Sequence, residues 1–259
     1  MVQLENLTSP RARDAFSLAG NIAIVPVGST EQHGPHLPLG TDHFLASYIS
    51  RRVAECTNII CTPTIPIGIS DHHIQFWGTL TVSPSTLRGY VSDVCTSLQR
   101  HGIEKIVIYN CHGGNQSALL EMARRVREKS NLAIFVYPLA GQSLVKFVDD
   151  LFGHEGSLYG AHGGAAESSM ITAMREDLVD KDAIGVAIGP KKFGTWVYGI
   201  DTVYDMIDFT PNGMVGNASE ASKEKGINII EKIVEEVSGF VEWLKVTPTI
   251  ELLKKSHVD

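Results

Sequence analysis

Four short apolar runs constrain the fold of this chain more than any other feature of its sequence. They cover residues 22–27, 59–65, 105–110 and 132–137. None of them alternates strictly between apolar and polar residues, as a strand with one solvent-exposed face does. Continuous apolar runs of this length are typical of strands that are covered on both faces. We therefore predict four buried β-strands.

Amphipathic segments of helical length lie between and after these runs, at 43–55, 86–101, 116–129, 167–175 and 218–244. Strands that alternate with helices indicate βαβ units and a mostly parallel sheet with helices on both faces. Residues 181–216 are rich in Gly and Pro and are predicted to form an irregular excursion. The 259 residues contain no recognisable linker or repeat, so we expect a single domain, 1–259.

Charge and hydropathy exclude several classes of protein. The formal net charge is −7 and no long basic run occurs, which argues against nucleic acid as a partner. No apolar run approaches the ~18 residues that a membrane-spanning helix needs, and residues 1–15 lack the apolar core of a secretory signal. The four cysteines form no CxxC pair, so reduced thiols in a cytoplasmic protein are expected.

Residue types that bind metals follow the first and third predicted strands. Glu31 and His33 lie in the turn after the first strand, Asp42 lies at the start of the next helix, and His112 follows the third strand. The carboxyl ends of parallel strands form the ligand-binding edge of an open sheet. Mixed carboxylate and imidazole ligands suit zinc, manganese or iron, and a carboxylate such as Asp42 can bridge two ions.

Each of these residues also has a simpler interpretation. Asp42 is a favoured helix N-cap, an isolated His112 is more often structural than a ligand, and Glu31 could be a surface charge. A Gly-rich turn before a helix can also bind phosphate. Most of the ten histidines lie between residues 33 and 112, and acids accompany them. That density favours a metal site over a phosphate site.

Two further polar clusters carry candidate site residues. Glu167 opens a predicted helix and is a candidate metal ligand and catalytic residue, although acids are also common in first helical turns. Histidine titrates near neutral pH, which suits His162 for proton transfer. Ser70 and His73 lie in the loop after the second predicted strand, which either contacts the substrate or is only a polar loop.

Five motifs together resemble those of the creatininase, or creatinine amidohydrolase, family. In chain order they are GSTEQHGPHLPLGTD at 28–42, SDHHIQFWGT at 70–79, NCHGGN at 110–115, HGGAAESS at 162–169 and TPNGMVGNASEASKEKG at 210–226. The resemblance implies a three-layer α/β/α sandwich with a mostly parallel central sheet. It also implies a two-metal site, hydrolysis of a non-peptide C–N bond in a small molecule, and homo-oligomers, commonly hexamers built from dimers.

The resemblance further implies a ligand set and substrate contacts. One divalent ion, zinc or manganese with iron as an alternative, would be held by Glu31, Asp42 and His112. The other would be held by His33, Asp42 and a second acid. Creatininase has that acid at the position of Gly114, so Glu167 is the expected substitute here. Substrate contacts are expected from Ser70, His73, Gly113, Gly114 and Asn115.

Several substrates remain open. The family's tryptophan and acids ahead of His162 are replaced by Leu158, Tyr159 and Ala161, which argues against creatinine itself as the natural substrate. The candidates are a cyclic amide or amidine such as creatinine, a formylamino-pyrimidine, and a cyclic ketone sugar such as an oxidised inositol. Cations for a phosphorylated substrate would be Arg88, Lys191 and Lys192.

In the expected reaction, a metal-activated water attacks the carbonyl or amidine carbon and His162 protonates the leaving nitrogen. A non-catalytic metal-binding subunit is the alternative from another class. A dinucleotide-binding protein is disfavoured because no GxGxxG motif follows the first strand.

Overall fold

A parallel four-stranded sheet with the order β2-β1-β3-β4 forms the centre of the fold. The computed structural model describes residues 3–138, 142–153, 162–185, 196–197, 200–201 and 203–255. The strands of the sheet are β1 (Ile22–Val27), β2 (Ile60–Cys61), β3 (Lys105–Asn110) and β4 (Ala133–Tyr137). A separate antiparallel pair consists of β5 (Trp196–Val197) and β6 (Ile200–Asp201).

Helices cover both faces of the sheet. They are α1 (Ser9–Leu18), α2 (Thr41–Thr57), α3 (Pro84–Arg100), α4 (Gln116–Lys129), α5 (Gln142–Phe152), α6 (Ala165–Arg175), α7 (Met206–Phe209), α8 (Lys223–Val246) and α9 (Thr249–Leu252). Helices α1, α3 and α4 pack on one face, and α2, α5, α6 and α8 pack on the other. The predicted three-layer α/β/α sandwich is confirmed.

The burial of β1 explains why its sequence does not alternate. Ile22 and Ile24 point into the core beneath α2 and α8, whereas Ala23, Val25 and Val27 point into the core beneath α3 and α4. All of them are inaccessible to solvent. Successive side chains of a strand face opposite sides, so a strand between two helical layers needs apolar residues at every position.

The second predicted strand, 59–65, was too long. The sheet includes only Ile60–Cys61 of it, and the chain rejoins β1 at one isolated bridge between Ile65 and Val27. Pro63 lies between the two contacts and has no amide hydrogen to donate to a ladder. The loop that leaves Ile65 therefore begins at the same edge as the end of β1.

The predicted irregular excursion at 181–216 was only partly right. Its described residues include a 3-10 turn at Lys181–Ala183, the β5–β6 pair and α7. Helices α1 and α5 were not predicted from the sequence. Among the described residues, no helix is long and apolar enough to cross a membrane.

A buried lysine joins the sheet to the end of the longest helix. The side chain of Lys105 on β3 is only 5% exposed, and its Nζ donates to the carbonyl oxygens of Leu244 and Thr247, both at 2.7 Å. Carbonyls at a helix C-terminus have no partner within the helix and carry partial negative charge. Lys105 therefore caps α8.

Candidate metal centre

The loops that follow β1 and β3 begin at the same edge of the sheet. The two strands pair in parallel register up to Val27 and Asn110, so residues that follow these positions emerge side by side. Glu31 and His33 lie in the loop after β1, and His112 lies two residues beyond β3. All three side chains are at least 95% buried. The convergence that was expected from the sequence is therefore present in the fold.

Asp42 lies between the two loops and faces both imidazoles. Its Oδ1 is 3.2 Å from His33 Nε2, and its Oδ2 is 3.1 Å from His112 Nδ1. The N-cap of α2 is Gly40, and Asp42 lies within the first turn of the helix. The helix-capping interpretation of Asp42 is therefore wrong, and its two oxygens point to two different histidines.

Each of these histidines has one ring nitrogen fixed by a backbone carbonyl. His33 Nδ1 donates to the Glu31 carbonyl at 3.1 Å, and His112 Nε2 donates to the Ile69 carbonyl at 2.8 Å. A neutral imidazole that donates from one nitrogen has a lone pair on the other. Once these rings lose the proton that faces Asp42, both lone pairs would point to Asp42, and each backbone carbonyl would be the outer hydrogen-bond partner of a metal-ligating histidine.

Helix α6 brings an additional carboxylate to the same place. Gly163 approaches the first loop so closely, with φ +64°, that a Cβ there would lie 2.6 Å from the His33 carbonyl oxygen. His36 Nε2 and Ser168 Oγ, 2.7 Å apart, join the same two segments. Glu167 lies in the first turn of α6, and its Oε2 accepts from the Gly163 amide at 2.7 Å.

The potential ligands fall into three groups. Within each group, the ligand atoms lie within 4.8 Å of one another. The groups are Glu31 with Asp42 and His112, His33 with Asp42 and Glu167, and Glu31 with His33 and His162. The first two share Asp42 and are the two triads that the sequence predicted. Glu31 Oε2 is buried and has no hydrogen-bond partner in the described part of the chain. A buried unpaired carboxylate oxygen beside imidazole nitrogens fits a divalent cation.

The protonation of the metal-free centre follows from its crowding. Burial alone would raise the pKa of the Glu31 carboxyl, but nearby imidazoles, His112 foremost, lower it well below its usual value. Burial would lower the pKa of His33, but Asp42 raises it to about 10. Burial raises the pKa of the Glu167 carboxyl. Without a metal, protons on imidazoles therefore balance the charge of the carboxylates.

Two further histidines flank Glu31. His162 donates from Nε2 to the Gln32 carbonyl, and its Nδ1 lies 3.9 Å from Glu31 Oε1. His73 Nε2 lies 3.4 Å from the same oxygen. Burial, with the neighbouring His33, lowers the pKa of His162 well below its usual value. The His162 ring is therefore neutral near pH 7, with a lone pair on Nδ1 that faces the centre.

The loop after β2 packs directly against Gly114. A Cβ on Gly114 would lie 2.1 Å from the Ile69 carbonyl oxygen and 2.6 Å from His112 Nε2. Real Cβ atoms essentially never approach a heavy atom within 3.0 Å. This backbone therefore has no room for an acid at position 114, and Glu167 is the carboxylate that completes the second triad.

The other expected substrate contacts lie around this loop. Ser70 is fully buried with its Oγ 2.6 Å from Ser29 Oγ, and His73 is 1% exposed. Asn115 is also buried, and it accepts from the Ile69 amide and donates to the Gly28 carbonyl. Gly113 is exposed at the turn.

Of the three cations that were considered for a phosphorylated substrate, Arg88 is among the described residues. Arg88 pairs with Glu121 at 3.0 Å, in an ion pair between α3 and α4. Lys191 and Lys192, and residues 158–161, lie outside the described residues.

Gln32 was not predicted as a site residue, although it lies between two predicted ligands in the first motif. Its side chain bonds to His73 and to the backbone at Gly213 and Gly34. His73 and Gly213 are distant from Gln32 in the sequence, and a single chain carries no signal that pairs them with it. Its position between Glu31 and His33 was the one available indication.

Comparison with known proteins identifies the family that this chain is similar to. The family model described as "Creatininase: Creatinine amidohydrolase" matches residues 5–241. A creatinine amidohydrolase from Pseudomonas putida is 31% identical over 233 residues, which cover 84% of this chain and 87% of that protein. A mycofactocin precursor peptide peptidase from Mycobacterium ulcerans (strain Agy99) is 28% identical over 85% of this chain and 84% of its own.

A solved structure described as "Creatininase Mn" has a TM-score of 0.81 at 27% identity and covers 95% of this chain and 99% of its own. The extent of these matches leads to one conclusion. This chain belongs to the creatininase family and is a hydrolase of that family.

Proposed function

We propose that the protein is a hydrolase that uses two divalent metal ions to cleave a non-peptide C–N bond in a small molecule. The observation that carries this proposal is the position of Asp42, whose two oxygens point to the ring nitrogens of His33 and His112 that are not bonded to a backbone carbonyl. A carboxylate shared by two triads is the arrangement that a two-metal hydrolase needs. A cyclic amide or amidine such as creatinine is the first substrate class to test.

The chain's own residues would hold the ions as follows. Glu31, Asp42 and His112 would hold one ion, and His33, Asp42 and Glu167 would hold the other. Zinc and manganese suit this mixture of nitrogen and oxygen ligands, and iron is a further candidate. Two bound ions would activate a water molecule for attack and polarise the carbonyl or amidine carbon of the substrate.

His162 is suited to move the proton in this reaction. Its Nε2 hydrogen is committed to the Gln32 carbonyl, so the lone pair on Nδ1 faces the ligand Glu31. Nδ1 can accept a proton from the attacking water and pass it to the leaving nitrogen, as a general base and then a general acid. Glu167, whose pKa burial raises, is a second group able to carry a proton if it is not bound to metal.

Removal and replacement of the metal tests the proposal. Chelator treatment should abolish turnover, and addition of zinc or manganese should restore it. His112→Ala should lose metal and turnover together, because it removes a ligand from the first triad. His101→Ala is the matched control, since His101 is exposed just after α3 and stacks on Phe16. Full turnover by metal-free protein, or by the His112 variant, contradicts the mechanism.

The substrate class is tested with a panel of a cyclic amide, a formylamino-pyrimidine and a cyclic ketone sugar. A peptide is the second candidate, because the relative from Mycobacterium ulcerans is named as a peptidase. The loop that contains His73 also exposes Ile74 and Trp77, which are 52% and 99% accessible and offer apolar contacts to a peptide side chain.

A homo-oligomer, as a hexamer or another dimer-based assembly, remains a prediction that light scattering checks.

A further inference from the structure

The side chain of Gln32 is buried, and each of its polar atoms has a partner of fixed polarity. Its Oε1 accepts from the Gly34 amide at 2.9 Å. Its Nε2 donates to the Gly213 carbonyl at 3.1 Å and lies 2.6 Å from His73 Nδ1. A backbone amide only donates and a backbone carbonyl only accepts. The amide of Gln32 can therefore adopt only this orientation, with its nitrogen towards His73.

The orientation of Gln32 determines which nitrogen of His73 carries the proton. An amide nitrogen can only donate, so His73 Nδ1 must be the acceptor in this contact. The proton of the neutral imidazole is then on Nε2, which lies 3.4 Å from Glu31 Oε1. His73 thereby presents an N–H dipole to the carboxylate. In the other tautomer a lone pair would face the anionic oxygen, which is repulsive.

The backbone of the same residue constrains His162 in the opposite sense. The Gln32 carbonyl accepts the Nε2 hydrogen of His162, so the His162 nitrogen that faces Glu31 carries a lone pair. One oxygen of Glu31 thus lies between a donor on one side and a proton acceptor on the other. The side chain and the backbone of Gln32 set these two states together.

We propose that Gln32 is a positioning residue that fixes the tautomer of His73 and, through it, orients the ligand Glu31 for metal binding. This inference rests on the proposed function for its last step only, since the tautomer of His73 exists with or without a metal. Gly213 takes part in the same arrangement of hydrogen bonds around Gln32. It has φ +79°, and a Cβ there would lie 1.8 Å from Gln32 Oε1. The C-terminal motif at 210–226 therefore contributes a contact that side chains larger than Gly would prevent.

The first experiment reads the tautomer directly. Two-bond ¹H–¹⁵N spectra of metal-free protein labelled with ¹⁵N-histidine distinguish a protonated Nε2 from a protonated Nδ1, and His73→Gln assigns the signals. Wild-type His73 should be protonated on Nε2. Protonation on Nδ1 in the wild type overturns the inference without any variant of Gln32. In Gln32→Glu, the new carboxylate can only accept, so the His73 proton should move to Nδ1.

The second experiment measures zinc affinity by chelator competition. Replacement of an outer partner of a metal ligand typically costs about 10- to 100-fold in affinity, and we expect Gln32→Met and Gln32→Glu to lose zinc affinity in that range. Gln75→Met is the matched control, because Gln75 is exposed on the same loop as His73 and bonds to Asp205 at the surface. It should leave the tautomer and the affinity unchanged.

The outcomes separate the two proposals. Wild-type zinc affinity in folded Gln32 variants overturns the positioning role, and so does a His73 tautomer that is unchanged in Gln32→Glu. Failure of the wild type to bind any divalent ion overturns the proposed function instead, and the tautomer spectra then decide the remaining step for Gln32. Circular dichroism identifies a variant that does not fold, in which case the wild-type spectrum is decisive.

Discussion

Replacement of Gly114 by Ala places a methyl group where the Ile69 carbonyl oxygen lies, 2.1 Å away. Since the closest tolerated approach of a Cβ is about 3.0 Å, the loop after β2 must move by about 1 Å. That carbonyl accepts the 2.8 Å hydrogen bond from His112 Nε2. A single methyl group therefore displaces the outer partner of a predicted metal ligand.

The size of the effect follows from three contributions. Overpacking of a well-filled site costs about 1–3 kcal/mol, and loss of a buried hydrogen bond costs about 0.5–1.5 kcal/mol. The reduced freedom of the unfolded chain returns about 0.4–1 kcal/mol when Gly becomes Ala. We expect Gly114→Ala to lower the free energy of unfolding of the metal-free protein by about 0.5–4 kcal/mol.

Urea unfolding at equilibrium measures this difference, with Gly113→Ala as the control. A Cβ at Gly113 meets no described atom within 4 Å, so this variant should change stability by less than about 1 kcal/mol. Zinc affinity should fall with Gly114→Ala, because His112 loses the carbonyl that orients it. Equal stability of the two variants would show that the loop after β2 does not confine position 114. The conclusion that this position has no room for an acidic side chain would then be wrong.

Three other predictions concern the core, the thiols and the effect of pH. Lys105→Met should lower the free energy of unfolding by about 1–3 kcal/mol in a urea titration, because it leaves two carbonyls at the end of α8 without a donor. The control Lys245→Met removes an exposed ion pair with Glu242 and should change the free energy of unfolding little. Cys56 is exposed, whereas the other three cysteines are buried, and burial raises the pKa of Cys61 to about 12. An aromatic disulfide reagent should therefore react rapidly with Cys56 and with the other three thiols only in urea. Burial would lower the pKa of His33, but Asp42 raises it to about 10. Because a metal must displace that proton, zinc affinity should rise between about pH 6 and pH 8. Calorimetry in two buffers should detect the release of the proton. Zinc affinity that is constant over this range would contradict the protonated state.

The sheet and the candidate residues of the first motif could be predicted from the sequence because their signals are local. The run at 22–27 lies on a single strand, and the residues Glu31, His33 and Asp42 occur within one motif. The residue types around His112 and Glu167 marked them as candidates, and the family resemblance supplied the grouping of all five residues into two triads.

The parts that were missed depend on contacts between distant segments. The exclusion of an acid at Gly114 arises from the carbonyl of Ile69, and the role of Gln32 arises from Gly213. The length of the second strand was overestimated because the apolar pattern continues through Pro63, which cannot donate to the sheet. Each miss is a tertiary constraint that a pattern of residue types does not encode.

The spacing of the predicted ligands along the chain has a consequence for the order of folding. Three of the predicted ligands lie within twelve residues, from Glu31 to Asp42, whereas His112 and Glu167 are brought in only when β3 and α6 dock. Contacts between residues distant in sequence form late, since closing a long loop costs entropy before any contact compensates it. We therefore expect zinc to leave the refolding rate unchanged and to slow unfolding. The metal would then stabilise the folded protein without directing the order in which it folds.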